Sequence, residues 1–263
     1  PVSLAYRKPA MNPLLKKTAA ALLALAAPFA STPSHAQQAV PGGTMRAAPV
    51  ASPERPTWAT APTQSISAGG VAFAYRELGK HHGGTPLILL VHLAAVLDNW
   101  DPRVVDGLAA QRHVIAFDTR GVGASSGSPS NSMEQMADDA ITFIKAKGYR
   151  QVDLFGFSMG GMIAQTMAIE HPSRVRSLTS IMSTTGNPRV GRPKTSVLLR
   201  AAKLTGGSKE TFADRQAALF KLFSGSLYDE LEIREVAKLS LERDFTPDGT
   251  ARQMAAIMSS PDR

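Results

Sequence analysis

The sequence of 263 residues predicts an α/β protein with a doubly wound, mostly parallel sheet and a helical cap. Apolar runs, each the length of a short strand, alternate with segments of helical periodicity between residues 86 and 182. Strands covered on both faces read as unbroken apolar runs, and alternating strands and helices build parallel sheets. After residue 187 helical patterns follow one another without strands, which favours a cap over one edge of the sheet.

The first 36 residues are predicted to be a leader rather than part of the fold. From Met11, a short basic segment precedes an apolar stretch from Ala19 to Ala30, and Ser34-His35-Ala36 offers a small-x-small cleavage site. This order defines a secretory signal peptide, and the stretch is short for a bilayer span. We therefore expect a periplasmic or secreted protein without stable membrane insertion after leader removal. An uncleaved amphipathic anchor is the alternative.

Residues 37–64 are predicted to form a flexible linker. They are rich in Pro, Ala, Thr and Ser and show no periodicity, so they cannot bury enough apolar surface to offset the entropy of ordering. The core of the fold is expected over residues 65–186. An incomplete cap is expected over residues 187–263.

The strands of the core are predicted from local patterns. Ser65 to Tyr75 alternates around Gly69-Gly70, which is typical of a hairpin, because glycine reaches positive φ without strain. The four apolar runs that follow are expected to be buried strands: Pro86–His92, His113–Asp118, Val152–Phe157 and Val175–Met182.

The helices are predicted from spacing and capping. Ser132 and Gln135 form a capping box that begins one helix, and Gly148 ends it. Met159 to Glu170 continues as a helix directly after the third apolar run. The expected cap helices are Thr195–Leu204, Lys209–Phe223, Asp229–Leu241 and Gly249–Met258. The alternative is that these are ordinary surface helices.

Composition and charge exclude several classes of function. Cysteine is absent, which rules out thiolate catalysis and cysteine-based zinc sites. The net charge of +8 includes four basic residues and no acidic ones within residues 1–36, and the rest is spread along the chain. Nucleic-acid binding is therefore not expected. No metal-ligand spacing and no nucleotide-binding glycine motif appears, so neither metal nor cofactor is predicted.

The segment Gly156-Phe157-Ser158-Met159-Gly160 matches the pattern G-x-S-x-G and lies between a predicted strand and a predicted helix. There the serine takes a strained conformation that exposes its hydroxyl, and the glycines allow strand and helix to approach closely. Ser158 is therefore the predicted catalytic nucleophile. A structural glycine-rich turn is the alternative.

Acyl transfer also needs two backbone N–H donors for the oxyanion of the tetrahedral intermediate. One donor comes from the residue after the nucleophile, which is Met159. The other is expected from the loop after an earlier strand, here the segment from His92 to Trp100. Each donor contributes on the order of 3 kcal/mol to transition-state stabilisation.

Residues 64–263 resemble the α/β-hydrolase superfamily, in its esterase and cofactor-free haloperoxidase-like branch. The resemblance lies in four blocks in order: Leu90-Val91-His92, Asp98 to Pro102, Phe117 to Ser125, and Gly156 to Gly161. It implies an α/β-hydrolase fold with Ser158 as the nucleophile and Met159 as the second oxyanion donor.

The resemblance implies Ala94, two residues after the strand-end histidine, as the first oxyanion donor. The family usually has glycine directly after that histidine, whereas this chain has Leu93, so Leu93 is an alternative donor. Asp118 and Arg120 match a turn that is chiefly structural in the family. His92 is interpreted as a packed strand-end residue rather than a base.

The catalytic acid and base are not assigned. In the family they follow the serine in the order acid, then histidine, and His171 is the only histidine after Ser158. At 13 residues along a helix it lies about 20 Å from the serine, too far to act as base. The resemblance implies two further strands beyond Arg263 that would carry the acid and the histidine. The chain is therefore expected to be truncated at its C-terminus.

The sequence thus predicts an exported serine hydrolase that cleaves a small carboxylic ester through an acyl-serine intermediate. Two alternatives remain. One is perhydrolase or haloperoxidase-like chemistry on the same serine, and the other is a catalytically inactive, truncated fragment that binds a ligand. The expected partner is a small-molecule ester substrate, and the oligomeric state is not predicted.

Overall fold

The computed structural model describes residues 56–187, 189–190, 194–204 and 207–263. The predicted leader, residues 1–36, and most of the predicted linker lie outside the described residues. In the part of the chain that is described, no helix combines the length and the apolarity needed to cross a membrane.

A six-stranded sheet forms the centre of the fold. Its strands are β1 Gln64–Ala68, β2 Val71–Leu78, β3 Leu87–Leu90, β4 Val114–Phe117, β5 Val152–Phe157 and β6 Val175–Ile181. Their spatial order is β1-β2-β4-β3-β5-β6. The first two strands are antiparallel to each other, and β2 is antiparallel to β4, while the pairs from β4 to β6 are parallel. This arrangement confirms the predicted mostly parallel sheet.

Both faces of the sheet are apolar because alternate residues of its central strands point to opposite sides. In β3, Ile88 and Leu90 join the core on one face, whereas Leu87 and Leu89 join the core on the other. All four side chains are buried. This explains why the strand reads as an unbroken apolar run instead of an alternating one.

Helices cover both faces, as the doubly wound prediction requires. Helix α1 (Pro102–Ala109) packs on the face that contains Leu87 and Leu89. Helices α2 (Met133–Ala146) and α3 (Met159–Glu170) pack on the opposite face. The cap contributes α4 (Thr195–Leu204), α5 (Phe212–Phe223), α6 (Glu230–Arg243) and α7 (Pro247–Ser259). Short 3₁₀ turns occupy Lys80–His82, Leu97–Asn99, Pro172–Arg174 and Gly225–Leu227.

The described chain begins inside the segment predicted as a linker, and this part is packed against the fold. The indole of Trp58 is 1% exposed and joins the core on the α1 side. Its Nε1 donates to the carbonyl oxygen of Leu97 at 3.2 Å, and the backbone N–H of Trp58 donates to Asp106 Oδ1 at 2.6 Å. Trp58 and Ala61 therefore cover part of one face of the sheet.

Strand β6 differs from the prediction of a buried strand. Among the described residues it pairs with β5 alone, and from Arg176 to Ile181 it is exposed. The side chains of Leu178 and Ile181 are 38% and 37% exposed. Within the described residues this apolar run thus forms an edge strand, with a register shift at Arg176.

A cluster of polar side chains joins β2, β4 and α2. His113 Nε2 donates to Glu77 at 2.9 Å, and Lys147 Nζ donates to the same carboxylate at 3.2 Å. The hydrogen bond from His113 is the main reason why the pKa of Glu77 is lowered from 4.5 to about 2, since burial acts in the opposite direction and Lys147 adds to the lowering. The Tyr149 hydroxyl oxygen lies within hydrogen-bond distance of His113 Nδ1, at 3.3 Å. The cluster ties these elements together by ionic hydrogen bonds.

Arg243, the last residue of α6, anchors the cap to the core. Its guanidinium pairs with Asp98 and also contacts Asp118 Oδ2 at 3.4 Å. Asp118 is fully buried, and its two carboxylate oxygens accept the backbone N–H groups of Leu97 (2.8 Å) and Ala124 (2.9 Å). Burial raises the pKa of Asp118. One carboxylate therefore joins the loop after β3, the turn after β4 and the cap.

Candidate active site

Ser158 occupies the sharp turn between β5 and α3, at the C-terminal edge of the sheet. Its backbone has φ 54° and ψ −115°, a conformation that is strained for any residue with a side chain. The Ser158 N–H donates to the carbonyl of Ile181 in β6 at 2.9 Å. The Ser158 carbonyl accepts from Gly161 at 3.0 Å and from Met162 at 3.3 Å. Hydrogen bonds on both sides therefore hold the strained turn in place.

Two glycines make this turn possible by close approach. A Cβ on Gly160 would lie 1.9 Å from the carbonyl oxygen of Leu90 in β3, and one on Gly156 would lie 2.4 Å from the carbonyl oxygen of Gly160. Contacts under 3.0 Å are essentially never seen for real Cβ atoms. The strand and the helix can therefore meet at Ser158 only because these positions lack side chains.

The hydroxyl of Ser158 is half-buried, and Oγ makes no hydrogen bond within the described part of the chain. Met159 follows as the first residue of α3, where a helix leaves its N–H groups without an internal acceptor. The positive end of the dipole of α3 lies at this N-terminus, next to Ser158. The turn thus combines a serine hydroxyl with a backbone donor suited to developing negative charge.

Ala94 lies in the β3 loop, which we define as residues 91–96. It has φ 60°, in the left-handed region that residues other than glycine rarely adopt. Its N–H donates to Oε1 of Gln253 in α7 at 2.8 Å. The side chain of the alternative donor, Leu93, is buried in the core. The predicted Ala94 donor is therefore already paired with a side chain of the cap.

His92 is buried at the start of the same loop. Its ring packs edge to face against the ring of Phe157, with the two ring centroids 5.8 Å apart. Its Nδ1 lies 2.9 Å from the carbonyl oxygen of Leu93, to which only a protonated Nδ1 can donate. Nε2 is buried without a hydrogen-bond partner in the described residues. Burial lowers the pKa of His92 to about 4, so the ring is neutral at neutral pH.

Other histidines lie in separate clusters. His171 ends α3 and contacts Asp138 Oδ1 at 3.0 Å, at the opposite end of the helix from Ser158. His113 is engaged by Glu77 and Tyr149. None of the hydrogen bonds made by His92, His113 or His171 reaches Ser158. Within the described residues, no group of three or more potential metal ligands is present.

A pocket separates the β3 loop from the cap. Ser158 is not among its lining residues, which are His92, Leu93, Ala94 and Asn99 together with mostly apolar side chains of α5 and α6. These include Phe212, Phe220, Ile233 and Val236. Such a lining favours an apolar ligand group over a charged one.

Comparisons with known proteins agree with this architecture. A sequence model for a family described as alpha/beta hydrolase fold matches residues 85–245. A protein of Azorhizobium caulinodans named as a carbamate hydrolase, RutD, is 34% identical over 114 residues, which are 43% of this chain and 42% of that protein. The 2-hydroxymuconate semialdehyde hydrolase of Pseudomonas sp. is 30% identical over 204 residues, which are 75% of this chain and 66% of that protein.

Among solved structures, an alpha/beta hydrolase fold protein from Chitinophaga pinensis superimposes with a TM-score of 0.59 and 31% sequence identity. The match covers 77% of this chain and 73% of that one. The chain spans less than half the length of the carbamate-hydrolase relative.

Proposed function

This chain belongs to the α/β-hydrolase family, and from that membership we propose that it is a serine hydrolase that cleaves small carboxylic esters. The observation that carries the proposal is the strained turn at Ser158, with φ 54° and ψ −115° between a central strand and a helix. Backbone strain persists only where the surrounding structure enforces it, and it is concentrated at functional sites. A serine held in this way presents its hydroxyl to a substrate.

In the proposed reaction, Ser158 Oγ attacks the carbonyl carbon of the ester while a base takes the hydroxyl proton. The π electrons of the C=O bond move to the oxygen, and the Met159 N–H and the N-terminus of α3 stabilise the charge. The C=O bond then re-forms and the alcohol leaves with the proton from the base. Water attacks the acyl-serine in the second half, which releases the carboxylic acid and restores Ser158.

The base is the part of this reaction that the described histidines do not supply. His92 is engaged with Leu93, and His171 lies about 20 Å along its helix from Ser158. In the family the acid and the histidine follow the serine in the sequence, and neither is assigned among the described residues. We therefore propose the activity for the whole protein.

The proposed substrate is a small neutral ester with an apolar acyl or alcohol group. The support comes from the mostly apolar lining of the pocket beside Ala94, the residue predicted to supply an oxyanion donor, although Ser158 itself does not line that pocket. The two relatives described above are named for hydrolysis of a carbamate and of a semialdehyde, so a carbamate analogue belongs among the substrates to be tested.

The decisive experiment compares Ser158→Ala with the parent protein, which is expressed together with any sequence encoded after Arg263. We expect the parent to hydrolyse p-nitrophenyl acetate and to be labelled by a fluorophosphonate, and Ser158→Ala to lose both. Ser226→Ala, a substitution of an exposed serine in the cap, serves as the matched control and is expected to retain both. Turnover that survives in Ser158→Ala contradicts the proposal.

We also propose that the protein is exported and that its leader is cleaved after Ala36. The supporting pattern is the basic, apolar and small-residue order from Met11 to Ala36. The N-terminal residue of the protein recovered from the periplasm or medium should be Gln37. Recovery of an uncleaved chain from the membrane fraction would favour the anchor alternative.

A further inference from the structure

The side chain of Gln253 reaches from α7 into the β3 loop. It is 2% exposed, its Oε1 accepts the Ala94 N–H at 2.8 Å, and its Nε2 donates to Thr119 Oγ1 at 3.2 Å. A backbone N–H can only donate, so the amide oxygen must be the atom that faces Ala94. The orientation of the side-chain amide is therefore fixed by chemistry.

Gln253 Oε1 therefore accepts the N–H that the family resemblance assigns to the oxyanion hole. Donors of an oxyanion hole lie 2.7–3.1 Å from the position of the oxyanion, and the Ala94 N–H lies 2.8 Å from Gln253 Oε1. The amide oxygen of glutamine is also the chemical counterpart of an ester carbonyl oxygen. Since one N–H offers a single hydrogen, Ala94 cannot fully serve Gln253 and a substrate at the same time.

We propose that Gln253 is a resident occupant of the oxyanion hole, which the carbonyl oxygen of the substrate must displace before acyl transfer. This rests on the proposed function and on Ala94 as the first oxyanion donor. With Gln253 in place, Met159 is the only one of the two predicted donors that is available. The cap thereby regulates the reaction through α7, which carries Gln253 and packs on the core through Met254 and Ala256.

The proposal predicts opposite effects of two substitutions in the whole protein. Gln253→Met keeps the length of the side chain and removes the acceptor. It should therefore raise kcat/KM for p-nitrophenyl acetate and the second-order rate of fluorophosphonate labelling. The increase should be about threefold to tenfold, the range set by the net strength of one neutral hydrogen bond. Gln253→Glu places a charged, stronger acceptor at the same donor and should lower both rates.

A purely structural role for Gln253 predicts a different pattern, because both substitutions would then loosen the loop and lower the rates together. A fall in rate for Gln253→Met therefore overturns the proposal, and so does an unchanged rate. Gln151→Met, at an exposed position before β5, is the matched control and should leave the rates unchanged.

Amide hydrogen exchange at Ala94 gives a readout that does not depend on activity. Exchange should be slow in the parent protein and faster in Gln253→Met, because the N–H loses its acceptor. Equal exchange in the two proteins contradicts the contact itself. If turnover proves independent of Ser158, the proposed function fails; if it depends on Ser158 but does not rise in Gln253→Met, only the role of Gln253 fails.

Discussion

Replacing Gly160 by alanine should disrupt both the fold and the site, because the new methyl group would enter the backbone of a central strand. The added Cβ would lie 1.9 Å from the carbonyl oxygen of Leu90 and 2.8 Å from that of Val91. Ordinary contact begins at 3.4 Å, so helix α3 and strand β3 would have to separate by about 1.5 Å. Neither atom is the flexible end of a side chain.

The size of the effect follows from the rigidity of this contact. Overpacking a core typically costs 1–3 kcal/mol, and more where the neighbours cannot move. For Gly160→Ala we expect a loss of about 3 kcal/mol in the free energy of unfolding, a large share of the 5–15 kcal/mol that is usual for a domain. A displacement of about 1 Å at Ser158 should also lower kcat by roughly 100-fold in the molecules that remain folded.

Urea denaturation followed by circular dichroism measures the first effect, and ester turnover corrected for the folded fraction measures the second. Gly107→Ala is the matched control. Gly107 is exposed in α1, and no atom lies within 4 Å of its added Cβ, so helix propensity should stabilise this variant by about 0.5–1 kcal/mol. If Gly160→Ala is as stable and as active as the parent, the close approach of strand and helix at Ser158 is refuted.

Three further substitutions test the backbone strain at Ser158, the charge of Glu77 and the ion pair by which Arg243 anchors the cap. Ser158→Gly relieves a backbone strain of about 1–3 kcal/mol, while the conformational entropy of glycine costs about 0.5–1 kcal/mol. Both Ser158→Gly and Ser158→Ala should be inactive, but Ser158→Gly should be the more stable by about 1 kcal/mol in thermal unfolding. Glu77→Gln should lower stability at pH 7 by about 3 kcal/mol, because the parent carboxylate has its pKa lowered from 4.5 to about 2. That contribution is fully present above pH 4.5 and is lost as the pH falls through 2, so the urea midpoints of the two proteins should converge there. Arg243→Met leaves the buried Asp118 without its cation and should cost about 3 kcal/mol in urea denaturation, and it should raise KM as the cap loosens.

The controls for these substitutions use the same change at exposed positions. Glu235→Gln and Arg252→Met, both on exposed surfaces of cap helices, should change the stability by no more than about 0.5 kcal/mol. A stability difference for Glu77→Gln that does not vary with pH contradicts the ionic role of Glu77. An Arg243→Met variant that unfolds at the parent urea concentration shows that the cap does not depend on this ion pair.

Much of the fold could be predicted because its signals are local. The apolar runs of β3, β4 and β5 and the spacing of α2 and α3 depend on burial and periodicity within a few residues. The hairpin turn at Gly69 and Gly70, both with positive φ, follows from glycine chemistry. The turn at Ser158 was predicted for the same reason, since its glycines and serine are adjacent in the sequence.

The remaining features depend on partners that are distant in the sequence. Gln253 lies 159 residues from Ala94, and nothing in the segment around it distinguishes it from any other helical glutamine. Arg243 likewise meets Asp98 across 145 residues. Trp58 lies in a segment rich in proline and small residues, where a single aromatic side chain gives no periodic signal. In each case the tertiary contact determines the role.

The placement of Trp58 bears on where a shortened version of this protein can begin. A polypeptide that starts at the first strand would lack an indole that fills one face of the sheet and donates to Leu97. Leu97 in turn donates its N–H to Asp118, so the loss would reach the turn that supports the cap. The folding unit therefore has its practical boundary upstream of Trp58, within sequence that composition alone would assign to a flexible linker.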